Sequence, residues 1–228
     1  MAMLLYIETA TEQCSVALSE DTKLLAHKSL LADGFKHAAK LHVFIYEVLQ
    51  EANIKPSQLN AVSVSAGPGS FTGLRIGSIA AKGLCFALDI PLIAIPTLQI
   101  LAAPYWQNSK VVALLDARRD EVYTATYDQN GTTQTPVEAH ILTETSFAAL
   151  AKETIYFIGT GAEKAKTLLP ENSNWHFITT HPTATAMLPL VSAAYKKKEF
   201  TNSANFAPTY IKPVRITPSK KDSLGRVV

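Results

Sequence analysis

Cysteine is almost missing from this chain, with two in 228 residues. Cys14 and Cys85 stand far apart in apolar surroundings. That excludes a disulfide framework and reads as buried, reduced thiols. Charge is sparse too, at 18% against 47% hydrophobic residues, the balance of an ordinary globular protein leaning apolar. No apolar run reads as long enough to span a membrane. The chain opens without a charged n-region and cleavage site, and Met1 to Ile7 runs straight into an expected strand. Cytoplasmic placement with no membrane partner is the expectation.

Several chemical signatures are lacking as well. The glycine run from Gly67 closes on Phe71, Thr72 and Gly73, where a Walker loop needs Gly-Lys-Ser/Thr. A dinucleotide fingerprint fails because its sixth place holds Thr72 instead of glycine. Of six histidines, His37 and His42 share one expected helix. Five residues of separation put them about 140° apart around it, too far to share an ion. No base stands visibly beside Ser15, Ser70 or Cys14 for nucleophilic attack.

Net positive charge is confined to one end. Residues 196 to 228 hold eight Lys or Arg against two acids, while the remainder is net acidic. Such a tail meets RNA phosphates or is simply a solvated terminus.

What is present is a pattern. Short apolar runs at 4–7, 14–18 and 23–29 read as three strands feeding a helix over about 34–52. A strand at 61–65, a helix over 72–88 and a strand at 92–95 follow. After a helix from Thr97 to about 105, runs at 111–115, 122–127 and 137–142 again predict three strands. Helices over about 144–152, 162–169 and 183–199, with strands at 155–158 and 176–178, complete a second copy. The reading is α/β, two mixed sheets flanked by helices, divided as 1–96, 97–211 and a basic tail 212–228.

The strand-to-helix junction from Ser65 to Gly77 carries the most information. Gly67 and Gly69 permit torsions and approaches closed to other residues, and Ser70 or Thr72 caps the helix. The free amides of that turn suit an anion, or the turn is a tight connection without ligand. The helix itself has only Arg75, Ser78 and Lys82 as polar positions between 74 and 88. A helix apolar nearly all round needs a second neighbour beyond its own sheet.

The duplicated layout resembles the actin, hexokinase and Hsp70 (ASKHA) fold. Four stretches narrow it: Leu5-Tyr6-Ile7-Glu8-Thr9-Ala10, Gly67 to Gly77, Ile95-Pro96-Thr97-Leu98, and Asp116 to Tyr123. Together they resemble the TsaB (YeaZ) family, of the TsaD/glycoprotease-like group. The resemblance implies a role in installing threonylcarbamoyl on the tRNA adenosine beside the anticodon. It implies a non-catalytic subunit that pairs with TsaD, joined by the ATPase TsaE, and with a second copy when TsaD is absent. ATP and a metal would belong to the partners, and tRNA would be met through the complex. The family commonly shows Asp and Ser where this chain has Glu8 and Ala10.

Candidate phosphate contacts are Thr9, Gly69, Ser70, Thr72 and Asp116; no catalytic or metal residue is assigned. Candidate interface residues are Phe35, Val43 and Tyr46 on the first helix, with Gly73, Ile76, Gly77, Ala80, Ala81 and Leu84 on the second. Two other classes stand beside this reading: a nucleotide-binding or peptidase-type enzyme, and an RNA-binding module acting through the tail.

Overall fold

The structure is a computed structural model describing residues 1–31, 36–107 and 109–212. Its first half runs β1 (Met3–Glu8), β2 (Gln13–Glu20), β3 (Lys23–Leu31), α1 (His37–Glu51), β4 (Ala61–Ser65), α2 (Phe71–Leu88) and β5 (Leu92–Ile95). These strands lie in the order β3-β2-β1-β4-β5. β1 pairs antiparallel with β2 and parallel with β4, which pairs parallel with β5. Every residue of β4 is buried, Ser63 and Ser65 included, because helices cover both faces of this sheet.

On one face Leu41, Ile45 and Val48 of α1 and Ala81 and Cys85 of α2 meet Leu5, Ile7, Val16, Val62 and Val64. The other face offers Leu4, Tyr6, Ile93 and Ile95 to a late helix, α5 (Leu188–Lys197). Both cysteines are free and buried within the first of these cores.

The second half holds α3 (Thr97–Ala102), β6 (Lys110–Asp116), β7 (Glu121–Tyr127), β8 (Glu138–Ile141), β9 (Ile155–Ile158), α4 (Ala162–Leu168) and β10 (Trp175–Ile178). Its sheet reads β10-β9-β6-β7-β8, the same order as the first sheet seen from the other edge. The duplication expected from the sequence is therefore present, as two five-stranded mixed sheets. α3 sits between them, with Ile100 in the first half's core and Leu98 and Leu101 in the second's.

Two expected helices differ. The stretch 144–152 forms turns and a single 3-10 turn, Ala148–Leu150. Ser146 Oγ accepts the Thr143 amide at 2.9 Å, and Phe147 takes φ 61°, so local side-chain bonding and a left-handed residue interrupt the helix. The stretch 183–199 begins as a 3-10 turn, Thr185–Met187, and α5 starts at Leu188 with a proline in its first turn. α5 belongs to the second half in sequence yet packs on the first half's sheet, so the chain crosses back after β10.

One further difference concerns α2. By length and composition alone it is apolar enough to cross a membrane, with mean hydropathy 1.3 over 18 residues. Here its inner side is fastened to β1. A Cβ at Gly73 would overlap the Thr9 carbonyl oxygen, and one at Gly77 would overlap the Thr9 hydroxyl.

Gly73→Ala is accordingly expected to destabilise the fold by about 1–3 kcal/mol through overpacking. Gly83→Ala, where a Cβ meets nothing within 4 Å, is expected to be neutral or to stabilise by up to about 1 kcal/mol. Urea unfolding of the two variants checks the contrast.

Candidate functional site

The Ser65–Gly77 junction folds onto the first turn of the chain. Ser70 is the N-cap of α2, its Oγ accepting the Gly73 amide at 3.2 Å. Its own amide donates to the Ala10 carbonyl at 2.7 Å, and Gly69 lies so close that a Cβ would overlap that same oxygen. The Thr9 hydroxyl donates to the Gly73 carbonyl at 2.9 Å. The α2 loop and the chain's first turn are thus packed backbone to backbone.

A cleft of about 960 Å³ remains beside this junction. It is bounded by Thr11, Ser70, Thr72 and Tyr210 on one side and Asp116, Arg118 and Tyr123 on the other. Gly69, Ser70, Thr72 and Asp116 of the candidate phosphate set come together there, whereas Thr9 is fully buried outside it. Asp116 is already engaged: its Oδ1 accepts the Arg118 amide at 2.6 Å and the Lys164 ammonium at 2.8 Å. That leaves it holding the β6–β7 turn, where Arg118 and Arg119 take φ 69° and 54°. Across the cleft His181 Nδ1 meets Thr11 Oγ1 at 3.1 Å, a tie between halves that no sequence spacing announced. Its imidazole is pushed below the usual range by burial, against the pull of Glu12.

Glu8, at the end of β1, points into the core and is wholly buried. Its Oε1 accepts the Ala10 amide at 2.6 Å. Burial pushes its carboxyl up to about 7, although the amides of Ala10 and Thr9 and the Ser65 hydroxyl pull the other way. Burial likewise raises the Cys14 thiol to about 11, helped by Glu8, so this cysteine is not an activated thiolate. His37 is buried while His42 is exposed, so these two point apart. Among the described residues no group of three or more His, Cys, Asp or Glu is placed to hold a metal ion.

The outer faces of α1 and α2 are the other feature. Val43 and Tyr46 are exposed, as expected. On α2 the assignment needs correction: Gly73, Gly77, Ala80 and Ala81 face inward and are buried, and Ile76 and Leu84 are half-buried. The small residues let the helix approach its own sheet, not a partner. The ridge turned outward carries Ile79, 71% exposed, and Phe86, 88% exposed, with Arg75 and Gly83 beside them. The sequence held a signal for this. Gly73 and Gly77 mark the close side, and Phe86, nine residues past Gly77, lies about half a turn round from it. Phe35 and the tail 213–228 lie outside the described residues.

A doubled five-stranded mixed sheet flanked by helices defines a duplicated α/β protein, here with apolar side chains turned outward on α1 and α2. A family model described as "TsaD: tRNA N6-adenosine threonylcarbamoyltransferase" matches residues 34–222. TsaB, a tRNA threonylcarbamoyladenosine biosynthesis protein of Escherichia coli K12, is 38% identical over 133 residues, 56% of this chain and 57% of that protein. The Haemophilus influenzae protein of the same name is 29% identical over 92% of this chain and 93% of its own length. The chain thus spans little more than half of the first relative and nearly all of the second. YeaZ from Pseudomonas aeruginosa superposes with TM-score 0.80 at 28% identity, covering 92% of this chain and all of that one. A solved protein described as similar to the peptidase YeaZ from P. aeruginosa gives TM-score 0.80 at 30% identity, over 93% of this chain and 100% of that one. The chain belongs to the TsaD family and, within it, to the TsaB (YeaZ) group of tRNA threonylcarbamoyladenosine biosynthesis proteins.

Glu8 makes stability depend on pH. Its folded value of about 7 exceeds the unfolded 4.5, so the folded state holds the proton longer. Stability contributed below 4.5 is lost as pH rises through 7, by about 3 kcal/mol in all. Glu8→Gln is expected to remove that loss, which urea unfolding at pH 5 and pH 8 measures.

Proposed function

We propose that this chain is a non-catalytic subunit that binds and activates TsaD for threonylcarbamoyl transfer to the tRNA adenosine beside the anticodon. The outward ridges of α1 and α2 are the docking face, and a second copy takes the same place when TsaD is absent. TsaE joins the assembly, tRNA is met through the complex, ATP and metal belong to the partner subunits, and the compartment is the cytoplasm.

The observation that carries this is the exposure of Ile79 and Phe86 on α2 and of Val43 and Tyr46 on α1, two helices whose inner sides share one core on the same sheet. Large apolar side chains clustered this way mark an interface. Burying each fully is worth about 1.5–3 kcal/mol, and a stable interface removes about 1,200–2,000 Å² from water. Arg75 on the same ridge and Lys82 on its flank suit a protein surface better than a bilayer.

No catalysis is assigned to the pair formed by His140 Nε2 and Ser146 Oγ at 2.9 Å. That hydroxyl is held by the Thr143 amide and its residue is 6% exposed, so it closes a turn.

Phe86→Arg is expected to weaken association with TsaD, and with itself, at least tenfold while leaving thermal unfolding unchanged. Sedimentation velocity measures the association. TsaD assayed for threonylcarbamoyl transfer with and without the chain measures the activation. Equal transfer in both arms, or wild-type association by the variant, overturns the proposal.

A further inference from the structure

After α5 the chain does not end on the second half. Thr201 bridges to Leu92 at the edge of the first sheet, its amide donating to the Leu92 carbonyl at 2.8 Å and its hydroxyl accepting from the Ala94 amide at 3.2 Å. The Lys82 ammonium, on α2, donates to the carbonyls of Ala204 at 3.1 Å and Phe206 at 3.0 Å. The Phe206 ring packs on the first half's core. Further on, the Thr209 amide donates to the Ala66 carbonyl at 2.7 Å, and Tyr210 lies against Phe71 with ring centroids 4.9 Å apart.

As residue numbers rise from 204 to 210 along this segment, its contacts on α2 fall from Lys82 to Phe71. Residues 203–205 form a turn, and the five residues 206–210 beyond it span about 16 Å when extended, matching the rise of about 16 Å of α2 over the same stretch. The segment is therefore an extended strap lying antiparallel along one flank of α2. Phe71 in turn carries the Arg75 guanidinium 3.8 Å above its ring, and Arg75 is on the outward ridge. At its far end the strap crosses the cleft to the second half. Lys212 there pairs with Glu121, donates to the Ala117 carbonyl at 3.2 Å and stands 5.5 Å over the Tyr123 ring.

We propose that residues 199–212 are a latch coupling the cleft to the docking face. The same segment is tied to α2 through Lys82, touches the ridge through Tyr210, Phe71 and Arg75, and is pinned to the second half by Lys212. A change in the spacing of the two halves therefore shifts the strap along α2, and the flank that a docked partner meets shifts with it. The inference rests on the docking reading above and adds its regulation. Backbone bonds at Thr201 and Thr209 hold the strap to the first half, so breaking the Lys212 contact frees one end without unfolding either sheet.

The test is a charge swap on the full chain. Lys212→Glu is expected to speed hydrogen exchange at the Thr209 amide at least tenfold and to weaken self-association, or association with TsaD, at least threefold. Lys212→Glu combined with Glu121→Lys is expected to restore both, and Lys212→Met, which keeps the stem but not the charge, to fall between. Unchanged exchange in the single variants overturns the latch. Faster exchange with unchanged association overturns the coupling. Phe86→Arg run in parallel separates the two readings: if it leaves association intact, the docking face is elsewhere and the coupling falls with it, while the exchange data still decide whether Lys212 holds the strap.

Discussion

The close approach of α2 to the end of β1 is the contact on which the rest depends. Thr9 donates to the Gly73 carbonyl, Ser70 donates to Ala10, and neither Gly73 nor Gly77 has room for a side chain. A backbone hydrogen bond and two glycines bring the helix far nearer the strand than side-chain packing allows. Once that side of α2 is fixed, its rotation about its own axis is fixed too. Leu74, Ala81 and Cys85 must enter the core, and Ile79 and Phe86 must leave it.

The same contact decides what the first turn can no longer do. The α2 loop occupies this turn with the Ser70 amide and Gly69. Glu8 is wholly buried, and burial favours its neutral form. Asp116, the corresponding acid of the second half, is tied to Lys164 and to the turn that carries Arg118. The cleft between the halves is lined by residues already bonded, Asp116 to Lys164 and Arg118, and His181 to Thr11.

The holding of the two halves is shared among elements that cross between them. α3 lies in both cores, α5 returns to the first sheet, His181 reaches Thr11, and the strap ends on Glu121. A duplicated fold with these ties transmits a change at the cleft to the helices that flank it, because packed cores move as bodies.

The sequence by itself determined the doubling of the sheets, since apolar runs of strand length and helix length repeat in the same order, and it determined that α2 carries more apolar surface than one sheet covers. Periodicity reads such features because they are local. It misjudged 144–152, where Ser146 and Phe147 prefer turn bonding to a helix, and it placed Gly73, Gly77, Ala80 and Ala81 on the outside. Small residues look alike whether they admit a partner's backbone or the chain's own. Only the tertiary structure decided between these, because the neighbour that fills the space beside Gly73 is Thr9, sixty-four residues earlier. The strap was equally hidden: Thr201, Thr209 and Lys212 carry no periodic signal, and their places are set by edges, carbonyls and a carboxylate that converge only when both halves are folded.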